Sequence, residues 1–277
     1  MNVMKLLSTL TIVMIFPLST LLSYGQEVLP PVSRYQSLAE SSVALSDCWS
    51  VFGNQAGLAA VNHMEIGGSF QNRFLLNELS TRAGVFVLPV QSSVFALSLY
   101  QFGEVPFRQD QFGVAYSRYL FPRLRFGFQF NYYRLFLAED NRSIGSSGFE
   151  LGMQYLATPQ LVLGIHATNP YQTGIHTRSG KFEYPSMVNW GVLFRVSPEF
   201  WMTTEVENDF GGRLIVRTGL EYAVLGKLFL RTGISGKPYQ LAGGVGFQVK
   251  KLYVDMAVSY NQHLGNSPSV SIQYRIR

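Results

Sequence analysis

Leu252-Tyr253-Val254-Asp255-Met256-Ala257-Val258-Ser259-Tyr260 decides the reading of this chain. Successive side chains of a strand point to opposite faces. Leu252, Val254, Met256, Val258 and Tyr260 therefore share one greasy face, and Tyr253, Asp255, Ala257 and Ser259 share the other. The end of the chain repeats the pattern, with Val270, Ile272, Tyr274 and Ile276 set against Ser271, Gln273 and Arg275. So do Leu214, Val216, Leu220 and Tyr222 against Arg217, Gly219 and Glu221, and Phe126, Phe128, Phe130 and Tyr132 against Arg125, Gly127, Gln129 and Asn131.

Working outward, the pattern predicts fourteen strands near 62–73, 80–89, 92–102, 108–121, 123–137, 147–157, 160–169, 185–197, 199–208, 213–224, 226–236, 239–249, 251–262 and 267–277. Most run ten residues or more, whereas strands of globular proteins average about 5–6 and tilted membrane-spanning strands need about 9–11. The connections alternate. Tight ones (Pro89–Gln91, Phe121–Arg123, Thr158–Gln160, Ser197–Glu199, Leu225–Lys227, Lys250–Lys251) separate longer ones near 74–79, 103–107, 138–146, 170–184, 209–212, 236–239 and 262–266. Outer-membrane barrels combine short periplasmic turns with longer external loops, while a soluble sandwich has no reason to make every second turn minimal. The expectation is an all-β chain, a closed antiparallel transmembrane β-barrel of about 14 strands. Closure follows because an open sheet edge in lipid leaves backbone groups unpaired.

Composition agrees. The 277 residues are 47% hydrophobic and only 14% charged, with 21 Phe and 15 Tyr. Net charge is +5, from 22 Lys and Arg against 17 Asp and Glu, with no basic run to suit nucleic acid. The one cysteine, Cys48, excludes an internal disulfide and a Cys-based zinc cluster.

Residues 1–25 read as a secretory signal peptide: Lys5, an apolar run from Leu6 to Leu22, then Ser23-Tyr24-Gly25, with Gln26 as the expected mature N-terminus. A retained anchor helix is the rival. Residues 26–60 read as a plug or hatch segment and 61–277 as the barrel.

With the greasy faces turned to lipid, the other faces line the lumen. They carry Glu65, Glu150, Glu205, Glu207, Glu221 and Asp255, and Arg82, Arg125, Arg195, Arg217, Arg231 and Arg275. Six acids balance six bases, which points to cross-lumen ion pairs bracing the barrel more than to a strongly ion-selective pore. The same faces carry Gly84, Gly113, Gly127, Gly152, Gly164, Gly191, Gly219, Gly233, Gly244 and Gly246. Mid-strand glycine serves close approach of another segment or relief of curvature.

Residues 33–60 do not alternate. Val43-Ala44-Leu45-Ser46-Asp47 and then Asn54-Gln55-Ala56-Gly57-Leu58-Ala59 precede the first strand. This order resembles the long-chain fatty-acid transporter superfamily of outer-membrane barrels, which includes the PorV and PorQ proteins of Bacteroidetes type IX secretion; Gln55 stands at the position of that family's usual Pro. The resemblance implies a lumenal hatch carrying Asp47, Asn54, Ala56, Gly57 and Leu58. It also implies, without enzymatic activity, transport of a small hydrophobic ligand or support of protein secretion. The expected partners are outer-membrane lipid and a hydrophobic small molecule or an envelope protein.

No catalytic residue, metal site or cofactor is expected. His63, His166, His176 and His263 show no metal-ligand spacing, and no His-Glu-x-x-His, Gly-x-Ser-x-Gly or phosphate-loop motif occurs. Two alternatives stay open. One is an adaptor barrel whose loops dock a partner through Arg142, Tyr171, Arg178, Phe182 and Tyr184. The other is a lipid hydrolase with a site assembled across strands.

Overall fold

The computed structural model describes residues 31–138, 142–177, 180–236 and 239–276. The expected signal peptide lies outside them. Fourteen strands close into one antiparallel barrel: β1 (Glu65–Asn72), β2 (Ser80–Val90), β3 (Ser93–Glu104), β4 (Phe107–Phe121), β5 (Leu124–Leu137), β6 (Arg142–Leu156), β7 (Leu161–Thr168), β10 (Met187–Arg195), β11 (Phe200–Asp209), β12 (Leu214–Val224), β13 (Leu228–Ser235), β14 (Gln240–Val249), β15 (Leu252–Asn261) and β16 (Gly265–Arg275). Each strand pairs with its neighbour in the chain, except that β7 pairs with β10 across a small separate hairpin, β8 (Gly174–Thr177) and β9 (Gly180–Glu183). The seam joins first strand to last, with Glu65 opposite Arg275 and Ser69 opposite Ser271.

All fourteen expected segments are strands of the barrel. The connections differ in three places, one of them the β8–β9 hairpin within the 170–184 connection. β3 and β4 run on until only Val105-Pro106 separates them, and β6 starts at Arg142, so the regions read as loops at 103–107 and 138–146 are mostly ladder. Arg142–Ser146 does not alternate in polarity; it is strand because it pairs with Tyr133–Leu137 of β5.

The alternation sorts the faces. On β3, Phe95, Leu97 and Leu99 are exposed while Val94, Ala96, Ser98 and Tyr100 are buried. On β15, Met256, Val258 and Tyr260 face out while Asp255, Ala257 and Ser259 are buried inside. An apolar band of this kind around a polar interior is what hydrocarbon demands of a spanning barrel.

β2 corrects the sequence reading. Arg82 and Gly84 face outward, not into the lumen. Arg82 is half-exposed and pairs with Glu104 at 2.7 Å, and Gly84 lies opposite Gly68 and Leu99. The reason is that β2 is apolar on both faces. Its buried Val85 and Val87 belong to the same cluster as Trp49 of the hatch, so polarity does not mark the lumen side.

Candidate functional site: the plugged lumen and its cavity

Residues 31–61 fill the barrel. Helix α1 (Ser33–Ser37) and two 3-10 turns, Cys48–Val51 and Gln55–Ala60, are almost wholly buried. Asp47 starts the first turn: its Oδ1 accepts from the Trp49 N–H at 2.9 Å, and Ser50 Oγ accepts from the Asp47 N–H at 3.1 Å. That reciprocal cap satisfies two otherwise orphaned donors. Asn54 starts the second turn, with Oδ1 accepting from the Ala56 N–H at 3.1 Å. Its Nδ2 donates to the Val43 carbonyl at 2.8 Å and to the wall carbonyls of Met153 and Ile165 at 3.1 and 3.2 Å. Gly57 packs below Leu45 and Ser50, and Ala56 and Leu58 are fully buried.

The wall makes room for this segment. A Cβ on Gly127, Gly152, Gly164, Gly191, Gly219, Gly233 or Gly244 would come within 2.9 Å of hatch atoms. Of the two roles open to inward glycines, close approach accounts for these seven. Gly113 and Gly246 instead abut wall side chains.

Charges fasten hatch to wall. Arg34 holds Glu221 through two nitrogens at 3.0 and 3.1 Å, and Asp47 through its third at 2.6 Å. Tyr35 donates its hydroxyl to Asp47 Oδ1 at 2.8 Å. Burial lowers the tendency of Arg34 to stay charged, but Glu221 and Asp47 outweigh it, so its pKa is raised. Glu205 accepts the backbone N–H groups of Ser42 and Val43 at 2.7 and 3.0 Å. Gln55 donates to Glu150 at 2.8 Å. Arg125 donates to Ser46 at 2.8 Å.

The other lumen charges pair along the wall. Arg231 bridges Glu221 and Asp255, both at 2.6 Å, Arg217 donates to Glu207 at 2.8 Å, and Arg275 holds Glu65 at 2.9 Å across the seam. Arg195 sits at the rim over Trp201 and donates to the Pro159 carbonyl. The pairs therefore run between adjacent strands, across one intervening strand for Arg231 and Asp255, and to the hatch, not across an open lumen as expected, because the hatch occupies the centre.

On the side away from Glu65 and Arg275, between hatch and the 169–186 connection, lies a cavity of about 1020 Å³ including its solvent-open part. Its floor is Val43, Val51 and Phe52; its walls include Tyr100, Tyr133 and Met187; Tyr184 and Pro185 cover it. Tyr184 stacks on Tyr133 at 4.1 Å, and Ile175 of β8 packs with them beside Leu135. Carboxylates also line it, but with partners: Asp110 holds Arg134 at 2.6 Å, and Glu150 takes Asn131 at 2.6 Å besides Gln55.

The loop candidates separate. Tyr171 is 82% exposed, whereas Tyr184 is buried and Phe182 half-buried in the cover of the cavity. Arg178 and the Arg142 side chain lie outside the described residues. Sequence reasoning missed Arg34 and Gln36, because a hatch without periodicity carries no facing information, and Asp110 and Arg134, which lie on expected strands where the alternation fails, Arg108–Gln111 being polar on both faces. Cys48 is buried; its surroundings, then the Asp47 and Glu65 carboxylates, push the thiol up, which does not suit a nucleophile. Among the described residues no cluster of His, Cys, Asp and Glu could hold a metal ion.

No family model and no curated protein matches the chain. Solved structures do. The toluene transporter TbuX of Ralstonia pickettii superposes with a TM-score of 0.67 at 12% identity, covering 89% of this chain and 98% of that one. The toluene transporter TodX of P. putida gives 0.67 at 12% identity, covering 88% and 98%. A Pseudomonas aeruginosa FadL homologue gives 0.65 at 12% identity, covering 88% and 98%. At such identities the likeness is one of fold: this chain has the barrel architecture of these hydrocarbon and FadL-type proteins.

Proposed function

We propose that the chain is an outer-membrane channel that admits small hydrophobic molecules and catalyses no reaction. One observation carries this reading: a closed barrel, apolar outside, is stopped by a built-in hatch under a ring-lined cavity. A water-filled pore needs no floor of Val43, Val51 and Phe52. The superposed toluene transporters and the FadL homologue support the same reading. An exported chain with a cleaved signal peptide fits it.

The test is uptake of toluene by cells with an intact lipopolysaccharide outer membrane, with and without this protein. Faster uptake with the protein is expected. Equal uptake sinks the proposal.

Support of protein secretion, the other branch of the family resemblance, needs an external docking face. Of the loop candidates with described side chains, Tyr171 alone stands clear of the barrel, so passage of small molecules is favoured.

A lipid-hydrolase reading has one observation in its favour. His166 Nε2 lies 3.0 Å from Glu150, and its Nδ1 lies 3.4 Å from Thr168 Oγ1. The order resembles nucleophile, base and orienting acid. The threonine contact is at the far end of a hydrogen bond, and Glu150 is already committed to Asn131 and Gln55. Release of fatty acid from phospholipid by the purified protein, abolished in Thr168→Ala, would favour the enzyme instead.

A further inference from the structure

Two neutral side-chain oxygens, on residues that line the cavity, have no hydrogen-bond partner among the described residues: the Tyr184 hydroxyl and Asn189 Oδ1. Both residues are more than nine-tenths buried. Buried polar atoms are ordinarily paired, so two unpaired ones bordering one cavity mark it as built for a polar partner.

Their chemistry differs. Asn189 donates its Nδ2 to Glu205 at 2.8 Å. Turning the amide over would set its oxygen against that carboxylate, so Oδ1 stays on the other side, as an acceptor. Tyr184 is held by its stack on Tyr133 and an edge-on contact with Phe182 at 5.3 Å. Burial, and Asp110 nearby, push its phenol up, which keeps it a donor. It sits on the connection between β9 and β10, outside the ladder.

We propose that this cavity is a binding site for a small neutral aromatic molecule bearing a hydroxyl group, whose oxygen accepts from Tyr184 and whose proton is donated to Asn189 Oδ1. The inference rests on the channel reading and names its ligand class. A hydrocarbon answers neither oxygen. A ketone answers Tyr184 alone, and an ammonium answers Asn189 alone. A carboxylate meets Glu40, Asp110, Glu150, Glu205 and Glu207 in the lining against one cation, Arg217. A hydroxyl is the smallest group that both donates and accepts, and Tyr133, Tyr184 and Phe52 offer its ring stacking partners.

The test uses the purified full chain in nanodiscs, with empty nanodiscs subtracting partition into lipid. Toluene, p-cresol and p-toluate share one ring and differ in the group presented. Binding of p-cresol about tenfold tighter than toluene, with p-toluate weakest, is the expected result for two added hydrogen bonds. Tyr184→Phe, checked for folding by its heat-dependent gel mobility, removes one of the two bonds and should cut the p-cresol preference to about threefold while toluene stays unchanged. Equal binding of p-cresol and toluene by the unaltered protein overturns the inference without any variant. A tenfold preference undiminished in Tyr184→Phe overturns it as well. Toluene uptake by cells reports separately on the channel: p-cresol preference without uptake leaves this site standing and removes the channel, and uptake without preference does the reverse.

Discussion

Arg34 in the hatch grips Glu221 in the wall with two nitrogens, 187 residues apart in sequence and 3.0 Å apart in space. Glu221 also takes Arg231, so hatch, β12 and β13 share one carboxylate.

Removing that grip should loosen the hatch. Arg34→Met leaves Glu221 with Arg231 but strips Asp47 of its guanidinium. Breaking a buried pair from one side costs roughly 3–5 kcal/mol. Denaturant melting in detergent should show a loss near the low end of that range, and single-channel recording should show raised conductance. Unchanged conductance would mean that the remaining bonds hold the hatch alone.

Gly127 lies directly beneath Gln55 and Ala56. In Gly127→Leu the side chain and the hatch compete for one volume, while the ladder needs neither. The barrel should still run as a compact heat-modifiable band, with protease now cutting within 31–61. Loss of the compact band would show instead that the barrel needs its hatch to close.

Asn54→Ala removes four hydrogen bonds at once, one a cap and three to carbonyls. Buried carbonyls left unpaired make the expected loss about 2–3 kcal/mol. Asn54→Asp keeps the cap and turns the amine side into a carboxylate facing carbonyls, so it should be worse than alanine. A milder effect of Asp would sink this account of the site.

Cys48 reports on the same movement. Its thiol is buried and its pKa is raised, so thiolate is scarce below the raised value and becomes available only at higher pH. Maleimide at pH 8 should leave the folded protein unlabelled and label Arg34→Met. Rapid labelling of the unaltered protein would contradict the burial.

On the outer face, Leu97 is 53% exposed in the middle of β3. Leu97→Arg should cost roughly 2–4 kcal/mol of folding into a bilayer. A change near zero would place this face in water.

The strands were legible because the period of two survives wherever one face meets lipid and the other meets polar groups, as along Leu252–Tyr260. It failed where the hatch changes the solvent: Val85 and Val87 of β2 cover Trp49, so both faces are apolar and Arg82 was turned the wrong way. The hatch motif could be placed by Asp47 and Asn54, but their roles as caps depend on turns that show no sequence period. The β8–β9 hairpin was missed because Gly174–Glu183 is too short to show a period, and it stands by packing Ile175 and Phe182 with Tyr133.

The polar interior has a consequence for how the sequence tolerates change. Lipid is fluid and fits itself to any apolar shape, so Leu97, Val114 or Met256 should be exchangeable for most other greasy residues. Gln154, Ser259 and Ser269 each meet a partner at fixed distance within a packed lumen. The familiar rule, by which a greasy centre resists substitution and a polar surface drifts freely, is here turned inside out: sequence freedom lies on the hydrophobic skin and constraint among the serines and amides within.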